Sequence, residues 1–187
     1  MEITYVTTNA GKVASLQRIL EPRGIDVTQV SLELPELQTP DLKAIGKHKA
    51  EAAYKQVGKP VLVQDAGFFL DAWPGFPGAF VKYALATLDL AGILALVDGR
   101  SRRAAFKQCY AYCDGTDTTL FEEEHPGTLL EQERGTLRGD AWGRLWLLFV
   151  PDGSTKTLAE MTPAEREKLH QPTAALEFAK WFATKNK

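Results

Sequence analysis

The sequence has few of the features that mark secreted, membrane or nucleic-acid-binding proteins. Only two of its 187 residues are cysteine, Cys109 and Cys113. They stand four residues apart in one strand-like segment, which gives poor disulfide geometry, so we expect reduced packing residues. No apolar run approaches the roughly 20 residues needed to span a bilayer, and the chain does not start with a secretion signal, so we expect a cytoplasmic protein without a membrane partner. The net charge of −2 provides no basic surface for nucleic acid.

The remaining composition is that of an ordinary globular protein, with 44% hydrophobic and 25% charged residues. Strand-like and helix-like periods alternate without repeats or linkers, which predicts an α/β fold with one mixed sheet and a single domain over residues 1–187. Predicted strands cover residues 2–7, 25–31, 61–63, 103–113, 118–123, 128–133 and 145–150. Predicted helices cover residues 11–21, 41–57, about 79–97 and 173–185.

Residues 60–83 form the most informative segment. The apolar run Val61-Leu62-Val63 is typical of a buried strand, and we expect it to end at Gln64-Asp65. A carboxylate at the end of a buried strand is costly unless something pairs with it. From the residues alone, Asp65 is as compatible with a structural turn as with a functional site.

Two lysines could bind an anion. Residues 7–12 join a strand to a helix, where free N–H groups and Lys12 can hold a phosphate. Val13 stands where a Walker loop requires Ser or Thr, so a plain capped helix is the simpler interpretation. Lys49 falls on the apolar stripe of its helix and therefore needs either an anionic partner or a path to solvent, two outcomes that the spacing does not separate.

A second carboxylate, Glu36, lies in a Pro-Glu-Leu-Gln turn and has no evident role in a core. Glu36 and Asp65 together could hold a hard cation such as Mg²⁺, which prefers oxygen ligands.

Taken together, these segments resemble the inosine triphosphate pyrophosphatase family, Mg²⁺-dependent enzymes that hydrolyse non-standard purine nucleoside triphosphates. The motifs that carry the resemblance are the Thr-Thr-Asn-Ala-Gly-Lys segment 7–12, Leu-Pro-Glu-Leu-Gln at 34–38, Lys49-Ala50, the strand 61–67, Gly-Phe-Pro-Gly at 75–78 and the segment 149–160. The resemblance implies a two-lobed α/β domain, in which a long mixed sheet is flanked by helices and the active-site cleft lies between the lobes. It also implies a homodimer and hydrolysis of a nucleoside triphosphate to the monophosphate and pyrophosphate.

The resemblance also assigns roles. Asp65 becomes the general base and, with Glu36, a metal ligand, while Lys49 holds the triphosphate. The substrate-binding residues it implies on the phosphate side are Thr7, Thr8, Asn9, Lys12 and Lys82.

The base-recognition segments depart from the family pattern. The family's aromatic segment with Asp-Pro is replaced by residues 141–146, which include Trp142, and its Ser-His-Arg is replaced by Leu169-His170-Gln171. Trp142, His170 and Gln171 are therefore the candidate base-contacting residues. The altered pocket leaves two alternatives open: a pyrophosphatase for a different nucleotide with relaxed base selectivity, or a nucleotide-binding protein that has lost turnover.

Overall fold

The computed structural model describes residues 1–35, 37–139, 141, 143–169 and 172–186. Its elements, in chain order, are β1 (Glu2–Val6), α1 (Ala10–Leu20), β2 (Asp26–Val30), α2 (Leu42–Val57), β3 (Val61–Leu70), β4 (Trp73–Gly78), α3 (Val81–Leu96), β5 (Arg103–Cys113), β6 (Thr118–Leu129), β7 (Phe149–Pro151), α4 (Pro163–Leu169) and α5 (Thr173–Lys185). Short 3₁₀ turns lie at Glu21–Arg23 and Arg144–Leu147.

The strands form one mixed sheet in the order β2-β1-β3-β5-β6-β7, and β4 pairs with β3. Strand β1 runs parallel to β2 and β3, whereas β4 and β7 are antiparallel to their partners β3 and β6. The predicted mixed α/β class is thereby confirmed. The single domain and the active-site cleft between lobes stay predictions. Within the described ranges, no helix is both long and apolar enough to cross a membrane.

The chain divides into two compact units. One comprises Met1–Ala66, Gln108–Glu123 and Pro172–Lys187, and the other comprises Gly67–Lys107 and Glu124–Gln171.

In the first unit, helices pack on both faces of the sheet. Buried residues of α1 and α5 pack on the face that carries Tyr5 of β1 and Leu62 of β3. Helix α2 packs on the other face, where Ala53 contacts the cluster that contains Val61 and Val63. Because side chains alternate along a strand, the next residue pair of β3 continues this division: residue 64 faces α1 and α5, and residue 65 faces α2.

In the second unit, three phenylalanines form the centre of the core. The rings of Phe68, Phe106 and Phe149 make tilted or edge-on contacts, with centroids 4.7 to 5.8 Å apart. Residues of α3 and of the segment around Trp146 surround them. These tilted and edge-on arrangements suit the charge distribution of aromatic rings.

The two strands predicted over residues 118–123 and 128–133 are wrong, because β6 is a single strand from Thr118 to Leu129. The gap between the two predicted strands contains Pro126 and Gly127, residue types that often mark a break. Gly127 instead allows close approach to β7, since a Cβ there would lie 2.4 Å from both the Phe149 ring and the Val150 carbonyl oxygen.

The strand predicted over residues 145–150 is also wrong in its first half. Residues Arg144–Leu147 form a 3₁₀ turn, and only Phe149–Pro151 is a strand. A continuous apolar run carries no period that separates a strand from a buried turn.

Helix α4 was not predicted, although its start carries a clear signal. Thr162 and Glu165 form a reciprocal capping box: the Thr162 hydroxyl accepts from the Glu165 N–H at 3.2 Å, and the Glu165 carboxylate accepts from the Thr162 N–H at 2.7 Å. Pro163 occupies the first helical position, where proline is favoured.

Candidate functional site

In the first unit, Asp65 of β3 contacts Lys49 of α2. The prediction that the strand stops at Asp65 is wrong, because β3 continues to Leu70 and Asp65 lies within it. Asp65 lies two residues after Val63 and therefore on the same face of β3, which turns its carboxylate toward α2. There the Lys49 ammonium lies 2.9 Å from the Asp65 Oδ2, and the two side chains are only 17% and 15% exposed. Lys49 therefore has an anionic partner, which resolves the alternative that the spacing left open.

The loop before α1 is held by its own side chains. The Thr7 hydroxyl accepts from the Asn9 N–H at 3.2 Å, and the Asn9 Oδ1 accepts from the Lys12 N–H at 3.1 Å, which caps the helix. Thr8 is exposed in this loop. The Lys12 ammonium donates to the backbone carbonyl oxygen of Gln64 at 3.1 Å. Lys12 from α1 and Lys49 from α2 thus bind adjacent residues of β3.

The buried Gln64 side chain lies in a series of hydrogen bonds that was not predicted from the sequence. Its Oε1 accepts from the Tyr5 hydroxyl at 2.7 Å, and its Nε2 donates to the Gln108 Oε1. Burial is the main cause that raises the pKa of the Tyr5 phenol well above its usual value, so the hydroxyl stays protonated and can donate. The available signal was a glutamine on the same strand face as apolar Leu62, where an unpaired amide would be costly.

The remaining predicted site residues divide into two groups. Lys82 is exposed at the start of α3, in the second unit. The predictions for the metal ligand and the base pocket lie outside the described residues; they concern Glu36, Trp142, His170 and Gln171.

Of the two predicted metal ligands, only Asp65 lies among the described residues. Among the described residues, no group of three or more histidine, cysteine, aspartate and glutamate side chains is placed to hold an ion. Asp65 nevertheless offers a partly accessible carboxylate, the donor type that hard divalent cations prefer.

Two arginines of the second unit are already held by other groups. The Arg144 guanidinium pairs with the Asp89 carboxylate, and its Nη2 lies 3.9 Å from the Glu133 Oε1. The Arg166 guanidinium stacks on the Trp146 ring at 4.7 Å from its centroid. Arg166 also donates to the backbone carbonyls of Leu158 and Met161, at 3.1 and 2.6 Å.

Comparisons with known proteins place these features in a family. A profile of the Ham1 family matches residues 3–181. The chain is 36% identical over 185 residues to a dITP/XTP pyrophosphatase of Methanopyrus kandleri, covering 97% of this chain and 96% of that protein. It is 34% identical over 185 residues to an inosine triphosphate pyrophosphatase of Yarrowia lipolytica, covering 97% and 95%.

A solved structure supports the same fold. A HAM1 protein from Coxiella burnetii superposes with a TM-score of 0.81 at 20% identity, covering 99% of both chains. The resemblance inferred from the sequence motifs is confirmed by the profile match and by the two relatives. The chain belongs to the Ham1 family.

Proposed function

We propose that this protein hydrolyses non-standard purine nucleoside triphosphates, those of inosine and xanthosine, to the monophosphate and pyrophosphate. Family membership and the names of the relatives support this reaction. The observation that carries the proposal is the partly buried Asp65–Lys49 pair, directly beside the Lys12 contact to Gln64. The Asp65 carboxylate provides a base. The ammonium groups of Lys12 and Lys49, which contact adjacent residues of β3, provide two positive charges for phosphate chemistry.

In this proposal Asp65 orients the attacking water and accepts its proton, because a carboxylate within hydrogen-bond reach of water can serve as a general base. Lys12 and Lys49 stabilise the negative charge that develops on the phosphate oxygens. The capped loop at Thr7, Thr8 and Asn9 presents the N-terminal end of the 11-residue helix α1, where backbone N–H groups favour an anion.

In this proposal the Lys49 ammonium binds first the Asp65 carboxylate and then a substrate phosphate group. Its ammonium lies on Asp65 in the structure. A flexible lysine side chain can shift its charge toward a phosphate group that arrives next to the carboxylate. Partial release of Asp65 would then couple substrate binding to exposure of the base.

A divalent cation completes the proposed site, and the oxygen donors favour Mg²⁺. Asp65 would hold it together with Glu36. When bound, the cation would neutralise phosphate charge and polarise the phosphoryl group.

Release of pyrophosphate from a panel of triphosphates with Mg²⁺ tests the function. We expect pyrophosphate and the monophosphate, in equal amounts, from inosine and xanthosine triphosphates. Addition of a chelator should abolish the release, and excess Mg²⁺ should restore it. If no triphosphate yields pyrophosphate but nucleotides still bind, the alternative of a non-catalytic nucleotide-binding protein is correct.

A second candidate is a pyrophosphatase with relaxed base selectivity. A pocket built on hydrogen bonds discriminates strongly because a wrong base leaves polar groups unpaired. In the sequence, Gln171 stands where the family pattern has arginine. Two arginines close in sequence to the altered segments are engaged elsewhere: Arg144 with Asp89, and Arg166 with Trp146 and two backbone carbonyls. This engagement disfavours either arginine as a replacement donor.

We therefore expect the preference in kcat/KM for inosine and xanthosine triphosphates over those of guanosine and adenosine to be weaker than about a hundredfold. Steady-state kinetics on the four substrates measures it. A larger preference would show that another donor replaces the arginine.

The proposal further includes a homodimer in the cytoplasm, as the resemblance implies. Sedimentation equilibrium at several protein concentrations would measure the assembly state. A molecular mass that stays at that of one chain throughout would contradict the dimer.

A further inference from the structure

Three polar side chains lie in the apolar sheet face that packs against α1 and α5. Tyr5 is 0%, Gln64 4% and Gln108 5% exposed. Their neighbours on this face include Leu62 and Tyr110. An apolar set of similar volume would fill this space without any need for exact partners, whereas a buried amide is costly unless its hydrogen bonds are made.

The three side chains satisfy one another in a fixed order. The Tyr5 hydroxyl donates to the Gln64 Oε1 at 2.7 Å, and the Gln64 Nε2 donates to the Gln108 Oε1. The Gln64 amide accepts at its oxygen and donates at its nitrogen, whereas an ionised carboxylate at this position could only accept. These hydrogen bonds connect β1, β3 and β5, which are adjacent in the sheet.

The hydrogen bonds of Gln64 to Tyr5 and Gln108 depend on the register of β3. Tyr5 is paired with Leu62, so Gln64 lies two residues further along on the same face. A slip of β3 by one residue would turn Gln64 toward α2 and Asp65 into the apolar face. It would break both amide hydrogen bonds and separate Asp65 from Lys49.

Gln64 is also attached to the site through its main chain. Its carbonyl oxygen accepts from the Lys12 ammonium at 3.1 Å, and the next residue, Asp65, pairs with Lys49 at 2.9 Å. Whatever fixes Gln64 therefore fixes the acceptor of one lysine and the partner of the other.

We propose that Gln64 is a positioning residue, which through its hydrogen bonds to Tyr5 and Gln108 holds Asp65 in place for both Lys49 and water. Its catalytic consequence rests on the proposed function. Its structural consequence, the strength of the Asp65–Lys49 pair, does not.

Two variants interrupt the hydrogen bonds between Tyr5, Gln64 and Gln108 without adding charge. Tyr5→Phe removes only the donor hydroxyl, and Gln64→Met replaces the amide with an apolar group of similar length. We expect each to lower kcat about tenfold while the KM for the triphosphate changes less than about twofold, because a displaced base affects the transition state more than binding. Tyr112→Phe is the matched control, since Tyr112 lies buried in the same cluster and its hydroxyl is not a member of the chain.

The second measurement does not use activity. A double-mutant cycle of Lys49→Met and Asp65→Asn in urea unfolding gives the coupling between the pair. We expect the coupling, expressed as a ratio of unfolding constants, to fall by about threefold or more in the Tyr5→Phe background and to stay unchanged in Tyr112→Phe. An unchanged coupling in Tyr5→Phe would overturn the positioning role. An inactive wild-type chain would instead overturn the proposed function.

Discussion

At Asp65 two requirements meet that single residues rarely satisfy together. The proposed base must be reachable by water, and a largely buried strand residue must not leave a charge unpaired. The alternation of β3 turns Asp65 away from the face of Gln64 and toward Lys49, which lies 2.9 Å away. The carboxylate is thus paired yet still 15% exposed, as the proposed role requires.

Asp65→Asn should lower kcat by about two orders of magnitude or more, the range for loss of a positioned acid–base group. Nucleotide affinity should change little, because the amide keeps the size of the carboxylate. Stopped assays with saturating triphosphate measure the effect. Asp71→Asn, the same change at an exposed position just after β3, is the control. A loss smaller than tenfold at Asp65 would refute its role as the base.

Lys49→Met should weaken triphosphate binding, because one of the two positive charges at the proposed phosphate site is lost. In the free protein it should also destabilise the fold by about 1–3 kcal/mol, since it leaves the partly buried Asp65 carboxylate without its ammonium partner.

Urea unfolding of the single and double variants separates these effects. The double variant Lys49→Met with Asp65→Asn should recover most of the lost stability, because no unpaired charge remains. Equal destabilisation in the single and double variants would show that packing of the lysine stem, not the charge, matters.

Among the elements, α3 contains a break that its sequence did not announce. Asp89 has φ 55° and ψ −174°, a region of backbone space that glycine occupies almost exclusively. Its carboxylate accepts from the Leu90 N–H at 2.8 Å and also pairs with Arg144. The side chain therefore stabilises a conformation that its own Cβ disfavours.

Comparison of Asp89→Ala with Asp89→Gly isolates that backbone cost. Both variants lose the carboxylate contacts, but only glycine relieves the strain. We expect Asp89→Ala to be less stable than Asp89→Gly by about 1 kcal/mol or more in urea unfolding. Equal stabilities would mean that the backbone at this position is not strained in solution.

The strands and helices show how far element bounds can be predicted from the sequence. Strand β5 and helix α5 were predicted with the observed bounds, because clear period-two and period-3.6 patterns cover their whole length. The errors lie where tertiary contacts override local signals: at Gly127, which suggested a break but packs against Phe149, and in the apolar segment that becomes the turn Arg144–Leu147.

At the scale of the whole molecule, the sequence indicated the charged residues of the candidate site but not the contacts between them. Asp65, Lys49 and Lys12 were each identified from a local pattern. Their assembly on adjacent residues of β3 depends on strand pairing and register, which no short segment specifies. Tyr5 and Gln108 were missed for the same reason, since their importance arises only from contact with Gln64.

The two cysteines, predicted to be reduced packing residues, are buried and free. Burial is the main cause that raises the pKa of the Cys109 thiol to about 12, so it is almost entirely protonated and unreactive in the native state. Cys109 also lies against Gly46 of α2, the helix that carries Lys49. A thiol reagent can therefore reach Cys109 only when the structure around the site opens.

The alkylation rate of Cys109 should therefore report nucleotide binding to the native protein. A nucleotide that binds only the closed form lowers the population of open molecules by the factor 1 + [L]/Kd, and alkylation should slow by the same factor. At a nucleotide concentration of about ten times Kd, we expect labelling about tenfold slower, with mass spectrometry as the readout. Labelling that is fast, or unaffected by every nucleotide, would contradict this expectation. The assay would rank nucleotides by affinity even in the Asp65→Asn variant, in which the proposed turnover should be slower by about two orders of magnitude or more.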